Sequence, residues 1–156
     1  MMKPKIINAE TIIEAISKIE DEGDIVIHVR EPEKRPLALQ KELEEEVIRS
    51  YYQDITTNNE LKGKISSIIK ELKSDGAKTV IEEIRGVIDI NLLYVKLYLD
   101  HGKLNASIIT PRIDSKEAIH KLLIYVEIML EDLSLSLGLA NGTITLMTMK
   151  VNSNKS

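Results

Sequence analysis

The 156-residue chain is 43% hydrophobic, contains no Cys, Trp or Phe, and carries a formal net charge of −4. This length and composition suit one domain with an aliphatic core, and the lack of cysteine excludes disulfides, thiolate metal sites and thiol nucleophiles. The excess acid lies in residues 1–53, with 12 acidic and 8 basic side chains, so no general electropositive surface for duplex DNA is expected.

The first half of the chain predicts helices and one strand. Isoleucines at helical spacing predict a helix in AETIIEAISKIE, with Asn8 as its cap. The alternation in DIVIHVR predicts a half-buried strand. Two further helices are predicted in LALQKELEEEVIRSYY and LKGKISSIIKELKSDG, separated by the polar break DITTNNE. The segment AKTVIEEIRG is ambiguous, and its charged residues favour a helix.

From residue 87 the pattern changes to strands. The segment YVKLYLDHGKLNAS predicts a hairpin with His101 and Gly102 as its loop residues. On one face this register pairs Leu99 with Leu104, Leu97 with Ala106, and Val95 with Ile108. On the other face it pairs Asp100 with Lys103, Tyr98 with Asn105, and Lys96 with Ser107. A slip of one residue would invert both faces, so their agreement supports the register.

A long helix is predicted over residues 115–137, with Asp114 as its cap and Gly138 at its end. Beyond its core stripe it also carries Ile124, Tyr125 and Ile128, which makes it too apolar for a surface helix. Such a helix either lies between two layers or covers a partner. We assign these three residues to a predicted interface. Asn141 and Gly142 then predict a turn before a last strand in TITLMTMKV.

Together these elements predict a single α+β domain over residues 1–151, with residue 86 as the place where two subdomains would divide. Residues 152–156 are expected to form a disordered tail. The predicted fold has a helical amino-terminal half with one strand. A strand-strand-helix-strand unit follows and forms a small, mainly antiparallel sheet.

We expect a cytoplasmic protein. No segment approaches the roughly 18 to 20 apolar residues that span a bilayer, and the amino terminus lacks the apolar core of a secretion signal. Abundant Ile, Lys and Glu with two Gln resemble the usage of hyperthermophile proteins. The seven glycines form no phosphate-binding loop, and the three histidines lie on separate elements, so neither a cofactor nor a metal is expected.

Three functions stay open on this evidence. The favoured one is a non-enzymatic interaction module that self-associates or docks into a larger complex. The second is nucleic-acid binding, in which Tyr94 and Tyr98 stack bases while Lys96, Lys103 and Arg112 contact phosphate; the competing interpretation is that these tyrosines only pack within the protein. The third and weakest is a metal-dependent nuclease built on Glu82, Glu83 and Asp89.

Overall fold

The structure is a computed structural model that describes residues 5–19, 23–34, 37–74, 78–88, 90–113 and 115–151. Its elements in chain order are β1 (Lys5–Ala9), α1 (Ile12–Ser17), β2 (Gly23–Val29), α2 (Leu37–Thr57), α3 (Asn59–Lys73), β3 (Thr79–Val87), β4 (Ile90–Asp100), β5 (Lys103–Thr110), α4 (Lys116–Leu137) and β6 (Ala140–Val151).

The strands form one six-stranded mixed sheet in the order β1-β2-β6-β5-β4-β3. The pairs β1/β2 and β5/β6 are parallel, and the other three pairs are antiparallel. Each parallel pair is joined through a helix, α1 in the first and α4 in the second, because parallel strands need a crossover connection. Strands β1 and β3 form the two edges of the sheet.

The predicted fold is wrong in the size and type of the sheet. The protein is α+β, but its sheet has six strands of mixed direction, where a small, mainly antiparallel sheet was expected. The helices are also not mainly amino-terminal. Two strands, β1 and β2, lie in the first part of the chain, and the longest helix, α4, lies in the last part. The single sheet takes strands from both sides of residue 86.

Most of the difference between the predicted and the observed sheet comes from the two edge strands, β1 and β3, which were not predicted. Asn8, predicted to cap a helix, lies inside β1, and Thr11 caps α1 by accepting a 3.2 Å hydrogen bond from the Glu14 amide. Strand β3 occupies AKTVIEEIRG, where the charges of Glu82 and Glu83 favoured a helix. An edge strand tolerates such charges because one of its sides is open to water.

Three boundaries also differ from the predictions. Helix α2 extends into the predicted polar break and ends at Thr57, where Asn58 separates it from α3. The hydroxyls of Thr56 and Thr57 each donate a 2.8 Å hydrogen bond to the carbonyl one turn earlier. Ser115 caps α4, and Asp114, the predicted cap, lies outside the described residues, as does the predicted tail 152–156. Asn141 and Gly142, predicted to form a turn, lie within β6.

The predicted hairpin register between β4 and β5 is confirmed at each of the six predicted pairs. Both loop residues adopt the left-handed conformation, with φ of 52° at His101 and 76° at Gly102. A two-residue loop of this kind matches the right-handed twist of the strands that it joins.

Helix α4 lies at the centre of the core. It contacts β5 and β6 on one side and α1, α2 and α3 on the others. Every residue from Leu122 to Leu130 is buried, as expected of a helix that lies between two layers. Gly138 ends the helix in the left-handed conformation, with φ of 68°, as its position in the sequence predicts.

Candidate interaction face

The two faces of the sheet differ in what covers them. On the helix-covered face, the strands contribute a lateral row of buried residues, namely Ile7, Ile27, Leu146, Ile108 and Val95. Successive side chains on a strand point to opposite faces. The neighbours of these residues therefore lie on the other side, which we call the open face because no described helix packs on it.

One row of side chains crosses the open face from edge to edge. The register places Ile6, Val26, Met147, Ile109 and Tyr94 side by side on β1, β2, β6, β5 and β4. Ile6 is 67% exposed, and Met147, Ile109 and Tyr94 are between 42% and 44% exposed. We call these five residues the apolar row. On β3 the row continues to Glu83.

The adjacent row on the same face is mainly polar. The register places Asn8, His28, Thr145, Ser107 and Lys96 side by side, and we call these five residues the polar row. The Nδ1 atom of His28 and the Oγ1 atom of Thr145 share a 2.8 Å hydrogen bond. At the β3 edge this row continues to Ile81, which is 66% exposed. The open face therefore has an apolar band beside a hydrogen-bonding band.

The structure brings only some of the residues predicted to bind nucleic acid close together. Tyr94, Lys96 and Tyr98 lie together on the open face, and the Lys96 ammonium lies 5.5 Å from the centroid of the Tyr98 ring. This is a cation–π contact within the protein. Lys103 lies at the hairpin end of β5, whereas Arg112 follows the opposite end of that strand.

The acidic residues predicted for a nuclease do not share one face. Glu82 and Glu83 are consecutive residues of β3, so their carboxylates point to opposite sides of the sheet. Glu83 also forms a 2.8 Å ion pair with Arg85, and Asp89 lies outside the described residues. Within the described ranges, no group of three or more His, Asp or Glu side chains is arranged to hold a metal ion.

Ile124, Tyr125 and Ile128, predicted to form an interface, are buried inside the chain itself. The Tyr125 hydroxyl donates a 2.7 Å hydrogen bond to Asp54 on α2, which fixes that side of α4 against the helical layer. The apolar character of α4 is explained by its position between the sheet and three helices. These side chains are therefore not available at the surface of the folded chain.

The apolar row was not recognised from the sequence. Its members lie on five strands, and most of them are far apart in the sequence although they are neighbours in the sheet. A signal is present in the individual strands, because Ile109 and Met147 occupy positions that alternate with the core residues Ile108 and Leu146. Large apolar residues at outward positions become informative only when neighbouring strands place several of them side by side.

The described helices include none that is long and apolar enough to cross a membrane. In comparisons with known proteins, no protein-family model matches the sequence and no curated protein is significantly similar to it.

Proposed function

We propose that the protein is a non-enzymatic assembly module that forms a homodimer by stacking the open faces of two sheets. The observation that carries this proposal is the apolar row, in which Ile, Val, Met and Tyr side chains are contiguous across five strands and four of the five are exposed. Exposed apolar residues that occur singly need no explanation, but a contiguous band bordered by polar groups is typical of a protein–protein interface.

The size of the open face supports a second copy as the occupant. Six strands at about 4.8 Å spacing make a sheet about 29 Å wide, and strands averaging roughly nine residues are about 28 Å long. The projected area is then about 800 Å², which is of the same order as the accessible surface, roughly 800 Å², that each partner buries in a standard stable interface. A smaller ligand would leave much of the apolar row in contact with water.

The charges of the open face are compatible with self-association. Lys96 and Arg85 are balanced in part by Glu83, which is paired with Arg85 at 2.8 Å. A face without a strong net charge neither repels its own copy nor selects a partner of opposite charge. The apolar row would form the dry centre of the interface, and the polar row would supply hydrogen bonds beside it.

Light scattering on Ile109→Lys tests the proposal. A charge in the centre of the apolar row should weaken dimerisation by at least about 100-fold, while the melting temperature changes little because Ile109 is already exposed in the protomer. The matched control is Leu135→Lys, at a position that is 83% exposed on α4, the helix that covers the opposite face of the sheet. We expect the control to remain dimeric. A wild-type protein that is monomeric over the whole concentration range would refute the proposal.

Binding of single-stranded nucleic acid is the second candidate function, because Tyr94 and Lys96 are exposed beside each other on the open face. Base stacking on an exposed tyrosine contributes about 1–3 kcal/mol. The position of Glu83 beside Tyr94 in the register opposes a phosphate backbone at this point. We therefore place this function second. The cytoplasmic location expected from the sequence belongs to both proposals.

A further inference from the structure

Three of the five tyrosines form a continuous chain from the core to the surface of the helical layer. The ring of Tyr125 meets the ring of Tyr51 with centroids 5.4 Å apart, and Tyr51 meets Tyr52 with centroids 5.2 Å apart. Tyr125 and Tyr51 are buried, whereas Tyr52 is 50% exposed. At these distances consecutive rings touch directly, so an electron that moves along the chain crosses no intervening aliphatic side chain.

Each buried phenol of this chain has a carboxylate that can accept its proton. The Tyr125 hydroxyl donates a 2.7 Å hydrogen bond to Asp54, and the Tyr51 hydroxyl donates a 2.9 Å hydrogen bond to Asp132. The charge of Asp132 is also the main cause of the raised pKa of Tyr52, which places this carboxylate near the exposed ring. A phenol that loses an electron becomes a strong acid. In an apolar core the resulting charge is costly unless a base lies within hydrogen-bond reach.

We infer that Tyr125, Tyr51 and Tyr52 form a relay that carries one-electron oxidation from the core to the surface, where it ends on Tyr52. The reactants are a one-electron oxidant and a soluble hydrogen-atom donor such as ascorbate. Tyrosine, tryptophan and cysteine are the side chains from which one electron is most easily removed, and this chain contains no tryptophan and no cysteine. Neither of these residue types therefore competes with the tyrosines for the oxidation.

Electrons and protons balance at each step of the relay. The oxidant takes one electron from Tyr125, and the phenolic proton moves to Asp54, which leaves a tyrosyl radical and a neutral carboxylic acid. Tyr51 then supplies an electron to Tyr125, and the proton returns from Asp54. The proton of Tyr51 moves to Asp132. Tyr52 supplies the next electron to Tyr51, the proton returns from Asp132, and Tyr52 releases its own proton to water.

The direction of transfer follows from the exposure of Tyr52. The buried tyrosines pass their protons only to a carboxylate, which is a weak base at neutral pH, whereas Tyr52 releases its proton to water. A soluble donor also reaches this ring and returns a hydrogen atom to it, which restores the phenol. The relay lies on α2 and α4, and the open face lies on the other side of the sheet. It therefore does not depend on the proposed dimer.

A photo-oxidant attached near the buried end of the relay tests the inference. The cysteine-free chain allows a single ruthenium tris-bipyridine label at Lys121→Cys, one helical turn before Tyr125 on α4. Asp132, the carboxylate near Tyr52, lies about 16 Å further along the helix axis. Flash excitation with an external electron acceptor generates the oxidant. A nitroso spin trap then captures radicals that reach the surface, and peptide mass spectrometry locates the adduct.

We expect the adduct on Tyr52. The variant Tyr51→Phe should lose most of it, because phenylalanine keeps the ring contact but is not oxidised by this label. The matched control is Tyr98→Phe, on the open face, which should retain the adduct. An adduct on Tyr52 that persists in Tyr51→Phe, or one that never forms on Tyr52 in the labelled protein, would overturn the relay.

The variant Tyr52→Phe covers the case in which Tyr51→Phe does not fold, because it removes only a half-exposed phenol. The radical should then remain on the buried rings, where ascorbate does not reach it. We expect its absorbance to decay more slowly with ascorbate present than in the labelled protein that retains Tyr52. Equal decay in the two proteins would show that oxidation does not leave through Tyr52 and would overturn the inference.

Discussion

The aromatic rings of Tyr51 and Tyr125 meet edge to face, with centroids 5.4 Å apart, and each hydroxyl donates to a carboxylate on the other's helix. Tyr51 of α2 donates a 2.9 Å hydrogen bond to Asp132 of α4, and Tyr125 of α4 donates a 2.7 Å hydrogen bond to Asp54 of α2. The two helices are thus joined by reciprocal, charge-assisted hydrogen bonds around an aromatic pair.

Removal of one hydroxyl from this pair should destabilise the fold measurably. Tyr125→Phe keeps the ring contact but deprives Asp54 of its donor, and we expect a loss of about 1–3 kcal/mol in the free energy of unfolding. Urea denaturation followed by circular dichroism measures this loss. Tyr52→Phe is the control, because Tyr52 lies on the same helix but is half-exposed. A loss in the control as large as in Tyr125→Phe would contradict the assignment.

The same tyrosines make the stability sensitive to alkali. Burial, reinforced by the neighbouring carboxylates, raises the pKa of Tyr51 and of Tyr125 above the ordinary value. An unfolded tyrosine loses its proton near pH 10, while the folded protein retains it. The stabilising contribution is therefore complete below about pH 10 and is lost as the pH rises above that value, by up to about 1.4 kcal/mol per pH unit for each tyrosine.

The alkaline loss is measured by the difference between variants. Above pH 10, the unfolding free energy of Tyr125→Phe should fall less steeply than that of the wild type, since one of the two linked protons has been removed. Parallel curves for the two proteins would show that Tyr125 does not titrate on unfolding. The comparison between variants removes the effect of lysine titration, which both proteins share.

Gly142 should not tolerate a side chain. A Cβ atom at this position would collide with the amide group of Asn105 and lie 2.7 Å from the carbonyl oxygen of Leu104. Asn105 is buried, and its Oδ1 atom accepts a 2.8 Å hydrogen bond from the Thr143 amide that would be lost if the side chain moved aside. We expect Gly142→Ala to lower the free energy of unfolding by about 1–3 kcal/mol.

Gly63→Ala is the matched control for Gly142→Ala. Gly63 lies in α3, and a Cβ atom there would meet nothing within 4 Å. Alanine stabilises an exposed helical position by about 0.5–1 kcal/mol relative to glycine. Thermal unfolding of the two variants should therefore show shifts of opposite sign. A neutral Gly142→Ala would mean that β5 and β6 can separate locally at this point.

Oligonucleotide binding separates the two functions proposed for the open face. If the face serves a dimer, fluorescence anisotropy at about 50 mM salt should show no binding of single-stranded DNA or RNA, because the face lacks a strong positive charge. Binding that weakens in both Tyr94→Ala and Lys96→Ala, but not in the control Lys121→Ala on α4, would favour the nucleic-acid function. Lys121 is paired with Glu46 in the helical layer, away from the open face.

The sequence predicts those parts of the fold that local rules determine. The β4–β5 hairpin was predicted at every pair because its loop residues and its alternation agree. Strand β3 was missed because Glu82 and Glu83 resemble a helix surface, and only its position at the edge makes them acceptable in a strand. The apolar row could not be predicted, since the order of strands that assembles it is set by tertiary packing.

The pairing of β2 with β6 has a consequence for the order of folding. These strands are far apart in the chain, yet β6 alone joins the β1–β2 unit to the rest of the sheet within the described residues. During synthesis, β2 emerges early and keeps one unpaired side until β6 is made. Pairing between distant segments is slow because the closure of a long loop costs entropy before contacts form. The nascent chain thus exposes an apolar strand for much of its synthesis, when aggregation competes with folding.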